Sequence, residues 1–215
     1  MYHFTHALVR RPGPNFAEGL SSAALGPPDY EQALRQHEAY CAALRRAGLE
    51  LIVLEADPRF PDGCFVEDVA VVTDHTAVIT RPGAPSRRGE QHAVAEVLAA
   101  FRQIARIEPP GTLEGGDVLQ VGDTFFIGLS GRTNEHGARQ LAEILEGEGY
   151  RTRLVPVQGV LHLKTGLTAL DADHFLGTPW FARQLSGHDV FALPENEAYA
   201  ANCLPVNGHV LLPEG

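Results

Sequence analysis

Three short stretches gather residues able to do chemistry: Leu113-Glu114-Gly115-Gly116-Asp117, Ser130-Gly131-Arg132-Thr133-Asn134-Glu135 and Leu161-His162-Leu163-Lys164-Thr165-Gly166. Each lies at the end of a short apolar run, beside glycines that let a ligand approach the backbone closely. A fourth, Phe65-Val66-Glu67-Asp68, stands upstream. Carboxylates clustered with an arginine and a histidine suit a cationic, planar group, and a guanidinium, which carboxylates grip through paired hydrogen bonds, fits best. The net charge of -10, from 17 basic and 27 acidic residues, points the same way and argues against nucleic acid or an anionic membrane as partner. The ten histidines include no HxxxH or HExxH pair, so no metal site is expected.

The elements that must carry these residues recur. Asp68 leads a strand (69–73), an Asp74-His75 turn, a second strand (76–80) and a helix from Glu90 to Arg102. Asp117, 49 residues on, leads strands 118–121 and 124–127 and a helix from Thr133 to Glu146. Gly166, another 49 on, opens a hairpin (167–170 and 174–177), after which Pro179 is placed to start a helix. Asn202 opens a fourth hairpin, 203–206 and 209–212, around the turn pair Asn207-Gly208. Evenly spaced units of hairpin plus helix predict a radial array in which each unit buries its apolar face on its neighbours. At the start, Ala7 to Arg11 forms a lone strand, followed by a helix opening near Asp29 and ending at Gly48, and by a buried strand at 51–54. One helix face carries Tyr30, Ala33, Leu34, His37, Cys41 and Leu44. The first unit thus has one hairpin strand where the others have two, and the last stops at Gly215 straight after its hairpin.

With 44% hydrophobic and 20% charged residues, the 215-residue chain reads as one globular domain spanning 1–215. Cys41, Cys64 and Cys203 suit neither a disulfide framework nor a CxxC metal site, which predicts a reducing compartment, the cytoplasm. No apolar run is long enough to cross a membrane, and the start lacks the basic-then-apolar pattern of a secretory signal.

The motifs at 65–68, 113–117, 131–134 and 161–166, together with Tyr199-Ala200-Ala201-Asn202, resemble the dimethylarginine dimethylaminohydrolase family of the guanidino-group-modifying (pentein) superfamily. The resemblance runs along nearly the whole chain. It implies an α/β fold, a five-bladed pseudo-symmetric ββαβ propeller around a central channel, incomplete at the C-terminus. It also implies a cytosolic, cofactor-free hydrolase whose small-molecule partner is a methylated arginine, converted to citrulline and a methylamine. A cysteine thiolate attacks the guanidinium carbon, and a histidine protonates the departing amine and then activates water. By resemblance His162 is that acid and base and Glu114 orients and charge-stabilises it; Asp62 and Asp68, with Glu67 beside them, hold the guanidinium. Arg87 and Arg132 take the substrate carboxylate, and Leu20, in Glu18-Gly19-Leu20-Ser21-Ser22, sits on a loop closing over the site.

Plainer readings stand beside these. Asp117 reads as structural, an acid beside glycines that shapes a turn. Arg87 and Arg88 read equally as solvated loop charges, Arg132 as a local partner near a helix start, and Lys164 as a residue that shapes the chain after His162. An arginine deiminase, an amidinotransferase or a non-catalytic guanidino-compound binder would share the acids and the histidine. The family's nucleophile lies in a Gly-Gly-x-Ser/Thr-Cys strand near the C-terminus, and no such motif occurs here. Cys41 falls on an apolar helix face, Cys64 has acids close by that suppress its thiolate, and Cys203 stands where the family has no nucleophile. The expectation is a C-terminally truncated form, inactive alone, with an unpaired strand edge at 7–11 that destabilises it or invites a homodimer.

Overall fold

The computed structural model describes residues 3–21, 26–185 and 187–213; Ser22 of the glycine-rich loop and the terminal Gly215 lie outside the described residues. Thirteen described strands fall into five small sheets. The first unit pairs β1 (His6–Arg10) in parallel with β2 (Glu50–Leu54) across the helix α1 (Tyr30–Arg46). The second contains β3 (Ala70–Val72), β4 (Thr76–Ile79), α2 (Gln91–Leu98) and β5 (Gln103–Arg106). The third contains β6 (Val118–Val121), β7 (Thr124–Leu129), α3 (Glu135–Gly147) and β8 (Arg151–Pro156). A short helix, α4 (Leu163–Gly166), precedes the fourth: β9 (Leu167–Ala169), β10 (His174–Gly177), α5 (Pro179–Gln184) and β11 (Asp189–Ala192). The fifth is the hairpin β12 (Leu204–Val206) and β13 (His209–Leu211).

In the three fullest units the middle strand pairs antiparallel with the first and parallel with the third, as a hairpin followed by a helical crossover requires. The helices begin where their caps dictate. Asp29 accepts the Gln32 N–H at 2.7 Å ahead of α1, and Asn134 accepts the Gly137 N–H at 2.8 Å ahead of α3. Pro179 occupies the first turn of α5. Asn207 and Gly208 take the positive φ angles, 47° and 80°, of the tight β12–β13 turn.

The cores sit between units. Val78, Leu113, Ile127 and Leu141 join the second to the third; Phe126, Leu163, Phe175 and Phe181 join the third to the fourth. Val9, Cys41, Leu44 and Val206 join the first to the fifth. There the Asn207 side chain accepts the Phe4 N–H at 2.9 Å and donates to the carbonyls of Phe4 and Ala47 at 2.8 and 3.0 Å.

Several expected boundaries move. Val69 belongs to a 3-10 turn, Val66–Val69, so β3 starts one residue late; a second such turn, Gly115–Asp117, leads into β6. The chain leaves α2 at Leu98 and turns through 99–102 instead of continuing to Arg102. The third strands β5, β8 and β11 carry mixed polar and apolar residues, many exposed, and lack the apolar signature of a buried strand. Among the described residues β1 pairs only with β2. No helix among them is long and apolar enough to cross a membrane.

Candidate active site

The turns that precede β3 and β6, and the one that opens α4, bring Asp68, Glu114 and His162 together from three successive units. His162 Nε2 lies 2.7 Å from Glu114 Oε2, with Glu114 fully buried and His162 nearly so. The other Glu114 oxygen accepts the Gly83 N–H at 3.1 Å and Arg132 Nη1 at 3.4 Å. Asp68 Oδ1 accepts the Gly116 N–H at 2.9 Å, and Oδ2 accepts Arg87 Nη1 at 2.7 Å. Gly116 permits this assembly: a Cβ there would stand 2.8 Å from the His162 ring and 2.7 Å from Asp68 Oδ1.

Arg87 is buried among acids. Its Nη2 donates to Glu90 Oε1 at 2.5 Å and its Nη1 lies 3.7 Å from Glu114 Oε2. The solvated-loop reading of Arg87 therefore fails, because a 3-10 turn at Pro85–Arg87 folds the side chain inward. Arg132 is partly open. Asp62 is buried, and both its oxygens accept the Leu20 N–H, at 3.0 and 3.2 Å, which ties the exposed Leu20 loop to the site. Glu67 points elsewhere: its exposed carboxylate pairs with Lys164 Nζ at 2.9 Å. Lys164 thus contacts a candidate site acid, in addition to shaping the chain after His162. An open groove of about 1390 Å³ runs past Glu67 and Lys164, between β1 and β3, and is lined also by Cys64 and Cys203.

The charges tune one another. Burial alone would lower the His162 pKa, but the Glu114 hydrogen bond and the nearby Asp68 and Asp117 raise it above its ordinary value, so the imidazolium is favoured. Burial pushes Glu114 up, and the bond to His162 with Arg87 and Arg132 nearby brings it below the usual range. The thiols behave oppositely: burial and Asp62 push Cys64 up to about 11, and burial also raises Cys41 and Cys203. One ligand atom each from Asp68, Glu114 and His162 lie within 4.8 Å of one another, a spacing a metal ion could use. The Arg87 guanidinium already bonds to Asp68 and lies near Glu114, so cationic charge is present at this cluster without an ion.

Asp117, fully buried, accepts hydrogen bonds from the Ser130 and Thr133 hydroxyls, both at 2.6 Å, and from the Leu163 N–H at 2.9 Å. This locks the loop after β7 onto the start of α4. Sequence reasoning missed Glu90 and the backbone donors of Gly83 and Gly116. Glu90 had a signal, its i,i+3 spacing from Arg87; the backbone donors had none, because their use depends on contacts between units.

A ring of ββαβ units with a buried glutamate–histidine pair at its inner turns is the pentein architecture of guanidino-group-modifying enzymes. The N-terminal domain of a cyanobacterial arginine dihydrolase shares the fold with a TM-score of 0.79 at 17% identity, covering 94% of this chain and 81% of that one. Within this class the chain belongs to the dimethylarginine dimethylaminohydrolase family. The family model described as N,N dimethylarginine dimethylhydrolase, eukaryotic, matches residues 28–167. The N(G),N(G)-dimethylarginine dimethylaminohydrolase of Pseudomonas aeruginosa is 45% identical over 216 residues, 99% of this chain and 85% of that protein. A cysteine-to-serine variant of the Pseudomonas aeruginosa enzyme, complexed with citrulline, superposes with a TM-score of 0.97 at 44% identity, covering 100% of this chain and 86% of that one.

Proposed function

We propose that this chain carries the guanidinium-binding and acid–base machinery of an enzyme that hydrolyses Nω-methylated arginine to citrulline and a methylamine through a covalent cysteine intermediate. The observation that carries the reading is the 2.7 Å Glu114–His162 pair, buried beside Asp68. Glu114 holds His162 as the imidazolium, primed to protonate the departing amine; once that proton is given, the neutral ring takes one from water. Asp68 and Asp62 receive the ligand's guanidinium, with Glu67 at the rim where Lys164 now pairs with it. Arg132, the more open arginine, takes the substrate carboxylate, together with Arg87 if Arg87 gives up part of its present acid contacts. Leu20, anchored through Asp62, covers the site. The raised thiol pKa values support a division of labour in which Cys41, Cys64 and Cys203 supply no nucleophile. The reducing compartment that three free thiols suit is the cytoplasm.

Titration with Nω,Nω-dimethylarginine tests the reading. Residues 1–215 are expected to bind it more tightly than free arginine and to release no citrulline. Equal affinity for the two would favour an arginine deiminase site, and turnover abolished by Cys203→Ser would overturn the assignment of the thiols.

A further inference from the structure

We infer that Glu90 is a positioning residue for the guanidinium site, the counter-ion onto which Arg87 withdraws when a ligand guanidinium takes its place on Asp68. The inference rests on the site reading above. Arg87 places its own guanidinium against Asp68 and Glu114, where a ligand would place the same group. Two guanidinium cations cannot share these acids without strong repulsion, so binding requires Arg87 to have somewhere to go.

Glu90 supplies that place. Its side chain is 1% exposed and that of Arg87 is 5% exposed. One contact already joins them, Nη2 to Oε1 at 2.5 Å. Two buried atoms of the same pair, Arg87 Nε and Glu90 Oε2, have no hydrogen-bond partner among the described residues. One is a donor and the other an acceptor, and a side-on arginine–carboxylate fork uses Nε and Nη2 against the two oxygens. Rotation of Arg87 into that fork would satisfy both atoms and free Asp68 Oδ2 as the ligand offers it a new donor. Glu90 is anchored independently: its backbone carbonyl accepts Arg10 Nη1 and Nη2, each at 3.3 Å, and Arg10 also donates to the Gly63 carbonyl at 3.2 Å. The other charged or titratable groups that influence Glu90 and Arg10 are Asp57, Arg59, Asp62, Cys64 and Asp68.

N,N-dimethylguanidine, which has no carboxylate, isolates this exchange from any contact of Arg87 with the amino-acid end of a substrate. In NMR titrations of the 215-residue chain, Glu90→Gln is expected to weaken binding about tenfold, since a neutral acceptor holds Arg87 less well. Arg87→Met, which removes the internal competitor, is expected to bind the probe several-fold more tightly, an outcome that a merely structural role would not produce. In the unaltered chain the Arg87 Nε–H resonance should move downfield on saturation, and in Glu90→Gln it should not. Unchanged affinity in Glu90→Gln, weaker binding in Arg87→Met, or an unmoved Nε–H signal in the unaltered chain would each overturn the inference alone. No binding of the probe by the unaltered chain would overturn the site reading and the inference with it.

Discussion

Asp68 and Asp117 occupy matching places in consecutive units, each at the end of a 3-10 turn or within it and just ahead of a hairpin, and each is buried. Each gives one carboxylate oxygen to a backbone N–H of the next unit, Gly116 for Asp68 and Leu163 for Asp117. They part at the other oxygen. Asp117 receives the hydroxyls of Ser130 and Thr133, neutral groups on its own unit, whereas Asp68 receives the guanidinium of Arg87. The same backbone scaffold therefore makes a structural lock in one unit and a cation site in the next, according to whether the adjacent loop supplies hydroxyls or a movable charge.

Substitution separates the two carboxylates. Asp117→Ala leaves two buried donors, Thr133 Oγ1 and the Leu163 N–H, and the half-buried Ser130 hydroxyl without this partner, and should cost about 3 kcal/mol in urea unfolding, with ligand affinity unchanged in the folded fraction. A loss of affinity in folded protein larger than the loss of stability would erase the distinction. Asp68→Asn should do the reverse, weakening dimethylarginine binding about thirtyfold with a smaller change in the unfolding midpoint. Glu114→Gln should lower the His162 pKa as followed by NMR of the ring protons; an unmoved titration would refute the role of Glu114. The sign carries over to stability. A raised His162 pKa contributes stability that is fully present below the ordinary value of 6.5 and is lost as pH rises through the folded value. A lowered Glu114 pKa contributes stability present above 4.5 and lost as pH falls through the folded value. The pair therefore stabilises most between those limits, and Glu114→Gln should flatten that maximum. The smallest effect belongs to Lys164→Met: the pair joins a half-buried lysine to the exposed Glu67 carboxylate and should be worth no more than ~0.5 kcal/mol, with dimethylarginine affinity within about twofold of the original.

The chemistry-bearing motifs were legible because they combine glycine, acid and base at repeat spacing, and the hairpins because Asn207-Gly208 and Asp74-His75 carry turn chemistry. The structural reading of Asp117 rested on the same logic and matches its partners here. What stayed hidden depends on contacts between units. Arg87 reads by resemblance as a ligand for the substrate carboxylate and otherwise as a loop charge, and nothing local announces that a 3-10 turn buries it against Asp68, Glu90 and Glu114. A strand after the helix is expected in the two best-formed units, but the bounds of β5, β8 and β11 stay hidden because polar residues interrupt their apolar pattern and their pairing with the middle strands is established only through a helical crossover.

The Asn207 clamp on Phe4 and Ala47 has a kinetic consequence. It joins positions 203 residues apart, and the core it seals mixes Val9 and Leu44 with Val206. Contacts of such long sequence separation form late, because the intervening chain must be ordered before its closure entropy is recovered. During synthesis the apolar face of the first unit stays uncovered until the β12–β13 hairpin has left the ribosome. The nascent chain therefore exposes that face over an interval in which aggregation competes with folding.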